Sequence, residues 1–270
     1  CGYHYTPKQF FAEHPTETRI ESWRQIEIQS KRQLTKTTNT ISYEYLQKTI
    51  GGRNNFIDFL YSLTDNGQLA KTNIERVIQE YNIGSTKNGR AIFWQIDLNN
   101  NVRTGKIIAY DAKSGHRYKS ISPDWVHSLL KKSKKIPEDW EVTQCIYGEH
   151  LLKKYPEKTV ALVEAEKTAI ICAAIFPQYV WVSIGSVQNL SAKEGSKGLA
   201  MLKALNGRKV IIYPDIDGYE KWLEASKGLT FFKCIVSDYI EKNSSKEDRE
   251  LKVDIADWLI RQLKNDSVGL

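Results

Sequence analysis

Two apolar runs in this 270-residue chain end abruptly in carboxylates. "VALVEAEKTAI", Val160 to Ile170, puts Glu164 behind a stretch of aliphatics, and "VIIYPDIDGYEKW", Val210 to Trp222, puts Asp215 and Asp217 behind another. If the runs are buried strands of an open parallel sheet, their C-terminal ends form the edge where ligands bind. Asp215 and Asp217 are two apart, so in extended backbone both point to one side. Oxygen ligands of this kind suit Mg²⁺ or Mn²⁺ rather than zinc. Carboxylates so close repel one another, and a bound cation is their natural neutraliser. Asp254 and Asp257, in "KVDIADWL", open the last expected helix and are expected to join the set. Each has an ordinary reading as well. An Asp at a strand end caps a turn, and a carboxylate in a first helical turn complements the helix dipole.

The elements that must position these groups follow from the hydrophobic rhythm. From about Lys158 the chain alternates "TVALVEA", "EKTAIICAAIF", "YVWVSIGS", "GLAMLKALNG", "KVIIYPD", "GYEKWLEASKG", "TFFKCIVSD" and "DIADWLIRQLK". Near-continuous apolar strands between helices predict a parallel sheet covered on both faces. "EKNSSKEDRE" is expected to be an exposed loop. Upstream, "EYLQKTIGGRNNFIDFLYSLTD" predicts two helices broken at Gly51-Gly52, with Asn54 or Asn55 as an N-cap. "KTNIERVIQEYNIG" predicts a helix stopped by Gly84. "RAIFWQIDLNNNVRTGKIIAYDAKSGHRYKSI" predicts three strands with turns at "LNNN" and Gly115. "PDWVHSLLKKSKK" predicts a helix opened by Pro123, with Val126, Leu129 and Leu130 facing the core and lysines at the C-terminal end. Trp94 and Trp181 lie in apolar strands and are expected in the core.

Composition sets the outer bounds. Apolar residues make up 41% and charged residues 26%, as in an ordinary globular protein. A net charge of +7 fits either a polyanionic partner or a solubilising surface. The four cysteines, Cys1, Cys145, Cys172 and Cys234, form no CxxC pair and suggest a reducing, cytoplasmic setting. No apolar run reaches transmembrane length. The chain opens "CGYHYTPKQFF" with no initiator Met, which reads as a fragment. Cys1 and His4 resemble the end of a zinc knuckle, but two ligands do not hold a structural zinc, which needs four. Zinc is therefore expected only with an upstream module.

The ordered set has a family counterpart. Val163-Glu164-Ala165, "SIGS" at Ser183 to Ser186 and "DIDG" at Asp215 to Gly218 resemble the Toprim domain of topoisomerases, bacterial-type primases and some nucleases. Ala165 departs from the Gly usual in that family. Upstream, Arg90, Phe93, Asp97, Gly105, Lys106 and Ile108 fit the rhythm that precedes Toprim in bacterial replicative primases, while Trp94 and Ala109 depart from it. "YGEHLLKKYPEKTVALVEAEKTAI" is similar to primase-like proteins of bacterial mobile elements. The resemblance runs from Arg90 to Leu263.

It implies an α/β fold: a Rossmann-like Toprim domain over 151–270, with a four-stranded, mainly parallel sheet flanked by helices. A smaller α+β primase-like lobe would occupy 41–150, behind a tail or linker over 1–40. It implies a primase that makes short primers on single-stranded DNA from nucleoside triphosphates with two Mg²⁺ or Mn²⁺ ions, and a helicase or other replication protein as partner. Glu164, Asp215 and Asp217 would be catalytic and metal-binding, with Asp254 and Asp257 as further ligands. Arg90, Arg103, Lys106, Lys113, Arg117, Lys167, Gly185 and Ser186 would meet nucleic acid or nucleotide. The alternatives are a Toprim nuclease, in which the same ions activate water, and a non-catalytic nucleic-acid-binding module. A plain dinucleotide-binding enzyme is disfavoured because no GxGxxG follows a strand.

Overall fold

A computed structural model of the chain describes residues 39–65, 67 and 69–265. The expected tail over 1–40, with Cys1 and His4, lies outside these residues apart from its last two positions. No helix of the described residues is long and apolar enough to cross a membrane.

The N-terminal part is built on an antiparallel sheet in the order β1-β2-β3-β4. Helices α1 (Tyr43–Gln47), α2 (Asn55–Ser62) and α3 (Lys71–Glu80) precede β1 (Ile83–Ser85). Asn54 caps α2, its Oδ1 accepting from the N–H groups of Phe56 and Ile57. Gly84 is not the helix stop expected of it. Asn82, at φ 50°, makes the turn, and Gly84 lies in β1. A Cβ on Gly84 would come within 2.4 Å of Thr49 Oγ1 and 2.7 Å of Trp94 Nε1, so close approach explains the glycine.

Strands β2 (Ala91–Ile96) and β3 (Val102–Ile108) form the expected hairpin. Successive residues of a strand point to opposite faces, so β2 feeds two clusters. Ile92, Trp94 and Ile96 enter a smaller core with Val102 and Val126, while Ala91 and Phe93 join the main one. The third strand expected after Gly115 is reduced to one bridge, Tyr110 to Arg117. The third partner is instead the two-residue β4 (Asp124–Trp125), so α4 runs over Val126–Lys132 and starts later than Pro123. Leu129 is 45% exposed rather than in the core, and Leu130 is buried.

α5 (Glu149–Lys154) leads into the parallel sheet: β5 (Val160–Val163), β6 (Val180–Ser183), β7 (Lys209–Ile212) and β8 (Lys233–Val236), in the order β6-β5-β7-β8. Every pairing in it is parallel. β5 and β6 are buried throughout, which is why they read as unbroken apolar runs. α6 (Glu166–Ile175), α7 (Lys197–Leu202), α8 (Tyr219–Ser226) and α11 (Ile255–Asn265) are the expected helices. The "EKNSSKEDRE" segment is not a loop. It forms α9 (Tyr239–Asn243) and α10 (Lys246–Leu251), the second opened by a capping box between Ser245 and Asp248. Trp94 and Trp181 are both 1% exposed, in the core as expected.

Candidate active site

The C-terminal edge of the parallel sheet collects carboxylates. Glu164 follows β5, and its carbonyl accepts from the N–H of Gly185, the turn residue after β6. Gly185 holds φ +78°, and a Cβ there would meet nothing within 4 Å. Ser186 accepts from Gln188 N–H and caps a single 3₁₀ turn, Val187–Asn189. Asp215 stands two residues past Tyr213, whose N–H continues the β5–β7 ladder to the Leu162 carbonyl.

Asp254 precedes α11 and is 8% exposed. Its Oδ2 accepts from the Thr168 hydroxyl at 2.5 Å, and its Oδ1 accepts from Asp257 N–H at 2.8 Å. Lys167, in the first turn of α6, reaches across to Asp257 Oδ1 at 2.8 Å.

The electrostatics show which groups converge. Burial first, then the negative charges of Asp254, Glu164 and Asp257, push the Asp215 carboxyl up to about 7, against the opposing pull of Lys167. Burial and Asp257 likewise raise Asp254. Three carboxylates therefore crowd Asp215, and Lys167 offsets them in part.

Asp217 stands apart. It sits at φ 61°, its Oδ1 takes Arg249 at 2.9 Å, and its N–H donates to Glu241 Oε2. The charges that raise Asp215 most are those of Asp254, Glu164 and Asp257. The two-residue spacing would aim both aspartates one way in extended backbone, but the left-handed turn at Asp217 breaks that geometry.

The cations are mostly spent within the chain. Arg90 pairs with Asp124 at 2.5 Å and donates to the Ile107 carbonyl. Arg103 pairs with Asp97 at 2.6 Å and steadies the hairpin turn. Lys106 comes off the face of β3 shared with Phe93 and meets both oxygens of Glu166, at 3.1 and 3.0 Å. That pair ties the antiparallel sheet to the start of α6, with side chains only 18% and 3% exposed. Lys167 is likewise held, 11% exposed, rather than free. Lys113 and Arg117 alone of the expected contacts are exposed without an ion pair among the described residues.

Sequence reasoning missed Glu166, Thr168, Arg249 and Glu241. A carboxylate at the first position of α6 was a visible helix-start signal, but its partner lies 60 positions away in the chain.

The donor set is all oxygen, which fits Mg²⁺ or Mn²⁺ in chemistry. Among the described residues no three or more His, Cys, Asp or Glu side chains are grouped to hold a metal ion by themselves. Mg²⁺ is commonly held by one or two carboxylates together with water and substrate phosphates, and Glu164, Asp215 and Asp254 meet that weaker demand.

Comparison with solved structures finds primases at low identity. The primase fragment of the bacteriophage T7 primase-helicase protein is 14% identical with a TM-score of 0.39, covering 66% of this chain and 70% of that one. A structure titled as the DnaG catalytic core is 14% identical with a TM-score of 0.38, covering 76% of each chain. A DnaG primase catalytic domain bound to single-stranded DNA is 13% identical with a TM-score of 0.36, covering 78% and 86%. No curated protein matches the chain. A family model does match, over residues 54–216, and the chain thus belongs to the family described as "Domain of unknown function (DUF6371)".

Proposed function

We propose that the chain is a metal-dependent nucleotidyltransferase of the primase kind, joining nucleotides on a single-stranded DNA template. The observation that carries this reading is the crowding of Asp215 by Asp254, Glu164 and Asp257, offset only in part by Lys167, at the C-terminal edge of a parallel sheet. The order of Toprim-like motifs along the chain supports it.

Glu164, Asp215 and Asp254 would hold divalent ions. When bound, such ions lower the pKa of an attacking hydroxyl and offset the charge of a triphosphate. The chain's own contribution is placement. Thr168 and the Asp257 N–H fix the orientation of the Asp254 carboxylate, and Lys167 holds Asp257. Gly185, at φ +78°, lets the backbone turn where its N–H meets the Glu164 carbonyl. Asp217 is a second-rank ligand on this reading, since it must first leave Arg249. Lys113 and Arg117 are the cations available to template phosphates.

One gel tests the proposal: single-stranded DNA with its own label, labelled nucleotides, Mg²⁺ or Mn²⁺, and wild type beside Asp215→Asn. New short products that vanish in the variant are expected. A shortened template that also depends on Asp215 would replace the proposal with a nuclease. Bound DNA with neither product would leave a binding module.

A further inference from the structure

Behind the carboxylate edge lies a cavity of about 280 Å³ lined by aromatic rings. Trp181 forms its floor and stacks on Tyr213, with centroids 5.3 Å apart and planes 30° apart. Tyr179 meets the edge of Trp181. On the other side Tyr239 stands edge-on to Trp258, at 5.3 Å and 87°. Gln178, exposed, adds an amide at the rim.

Three features separate this cavity from ordinary core. Tyr213 and Trp258 are only partly buried and Tyr239 is 44% exposed, so ring surface faces solvent. No hydrogen bond among the described residues uses the hydroxyls of Tyr179, Tyr213 or Tyr239, the Gln178 amide or the Trp258 indole N–H. These polar ends, which usually find partners when buried, surround flat apolar walls. The volume is at the small end of ligand cavities and suits one ring system rather than a whole nucleotide.

The cavity is also wired to the carboxylates. Tyr213 is two residues before Asp215, and α11 carries Ile255 and Trp258 into the cavity while Asp254 and Asp257 flank its start. Residues at those spacings lie on adjacent faces of one helix.

We propose that this aromatic cavity receives a nucleobase, stacked on the exposed rings and met at its edge by the unpartnered hydroxyls and the Gln178 amide. Choosing a nucleobase among flat heterocycles rests on the nucleic-acid reading of the carboxylate edge. The base has two sources, an unpaired strand or a free nucleotide.

The test is run in EDTA, without turnover, so that it stays independent of catalysis. Binding of adenosine, of ATP, of an oligothymidylate and of the same strand without bases is measured by fluorescence quenching and by equilibrium dialysis. Base-containing strand binding more tightly than the abasic strand is expected, with Tyr239→Ala weakening it roughly tenfold and Gln178→Ala weakening it less. Trp258→Phe should remove most of the quench while dialysis still shows binding. A stronger signal from adenosine and ATP than from the strand would assign the cavity to free nucleotide and also support the proposal. Asp215→Asn should leave base binding intact, so a failed polymerase assay does not decide this question. Equal binding of the two strands with silent nucleosides, or binding indifferent to Tyr239→Ala, would overturn it. An apolar dye bound alone under those conditions would mark the cavity as a protein contact instead.

Discussion

The antiparallel sheet and the parallel sheet treat charge in opposite ways. In the first, Arg90, Arg103 and Lys106 each meet a carboxylate, two of them with both side chains nearly out of solvent. At the edge of the second, Glu164, Asp254 and Asp257 crowd Asp215, and Lys167 offsets them in part. Paired charge steadies a fold, whereas crowded like charge strains it and persists where something else neutralises it. Arg90, Arg103 and Lys106 are thus engaged within the chain, while the carboxylates crowd one another at the sheet edge.

The largest effect should come from unbalancing the balanced side. Lys106→Met leaves Glu166 buried without a partner, and removing one member of a buried pair typically destabilises by about 3–5 kcal/mol. Urea unfolding should show that loss, and Lys106→Met with Glu166→Gln should recover much of it. If the single variant is as stable as wild type, the pair does not join the sheets energetically.

The next effect has the opposite sign. A carboxyl held at about 7 in the fold against about 4 unfolded favours the protonated native state. Its contribution is complete below the unfolded value and disappears as pH rises through 7. Asp215→Asn should therefore unfold at higher denaturant than wild type at pH 8, by about 2 kcal/mol after allowance for partial solvation. The gain should fade toward pH 4. Some slope should persist, because burial also raises Glu149 to about 7 beside the Leu98 and Ile146 N–H groups that it accepts from.

A smaller gain should follow from supplying the missing counter-charge. Millimolar Mg²⁺ or Mn²⁺ should raise the melting temperature of wild type, equivalent to about 1–2 kcal/mol if the ion is well above its dissociation constant. Asp215→Asn should lose most of that response, and Asp217→Asn should keep it. The reverse ranking would return Asp217 to the ion. Least of all, Arg249→Ala should change stability near the limit of a denaturation curve, because the Asp217 pair is solvent-exposed.

Much of the parallel half was legible in the sequence, because a strand buried on both faces must be apolar at every position, as Val160 to Val163 are. The capping signal at Ser245 and Asp248 was also present, yet the surrounding charge suggested a loop. β1 was hidden by Gly84, which a helix stop and a tight packing contact would equally require. The carboxylate edge could be anticipated as a neighbourhood but not in its membership. What holds Asp217 is its own left-handed backbone and an arginine 32 positions away. Ion pairs such as Lys167 with Asp257, 90 positions apart, carry no local pattern at all.

β8 closes the parallel sheet on one side, and among the described residues no strand pairs with its outer backbone. Ile235 on it is 71% exposed, and a free edge bearing an apolar residue is a template on which a second copy can zip. Lys233 on the same strand, with Lys209 beside it on β7, sets like charge against such stacking. High salt, which screens this charge, therefore favours edge-to-edge pairing at β8.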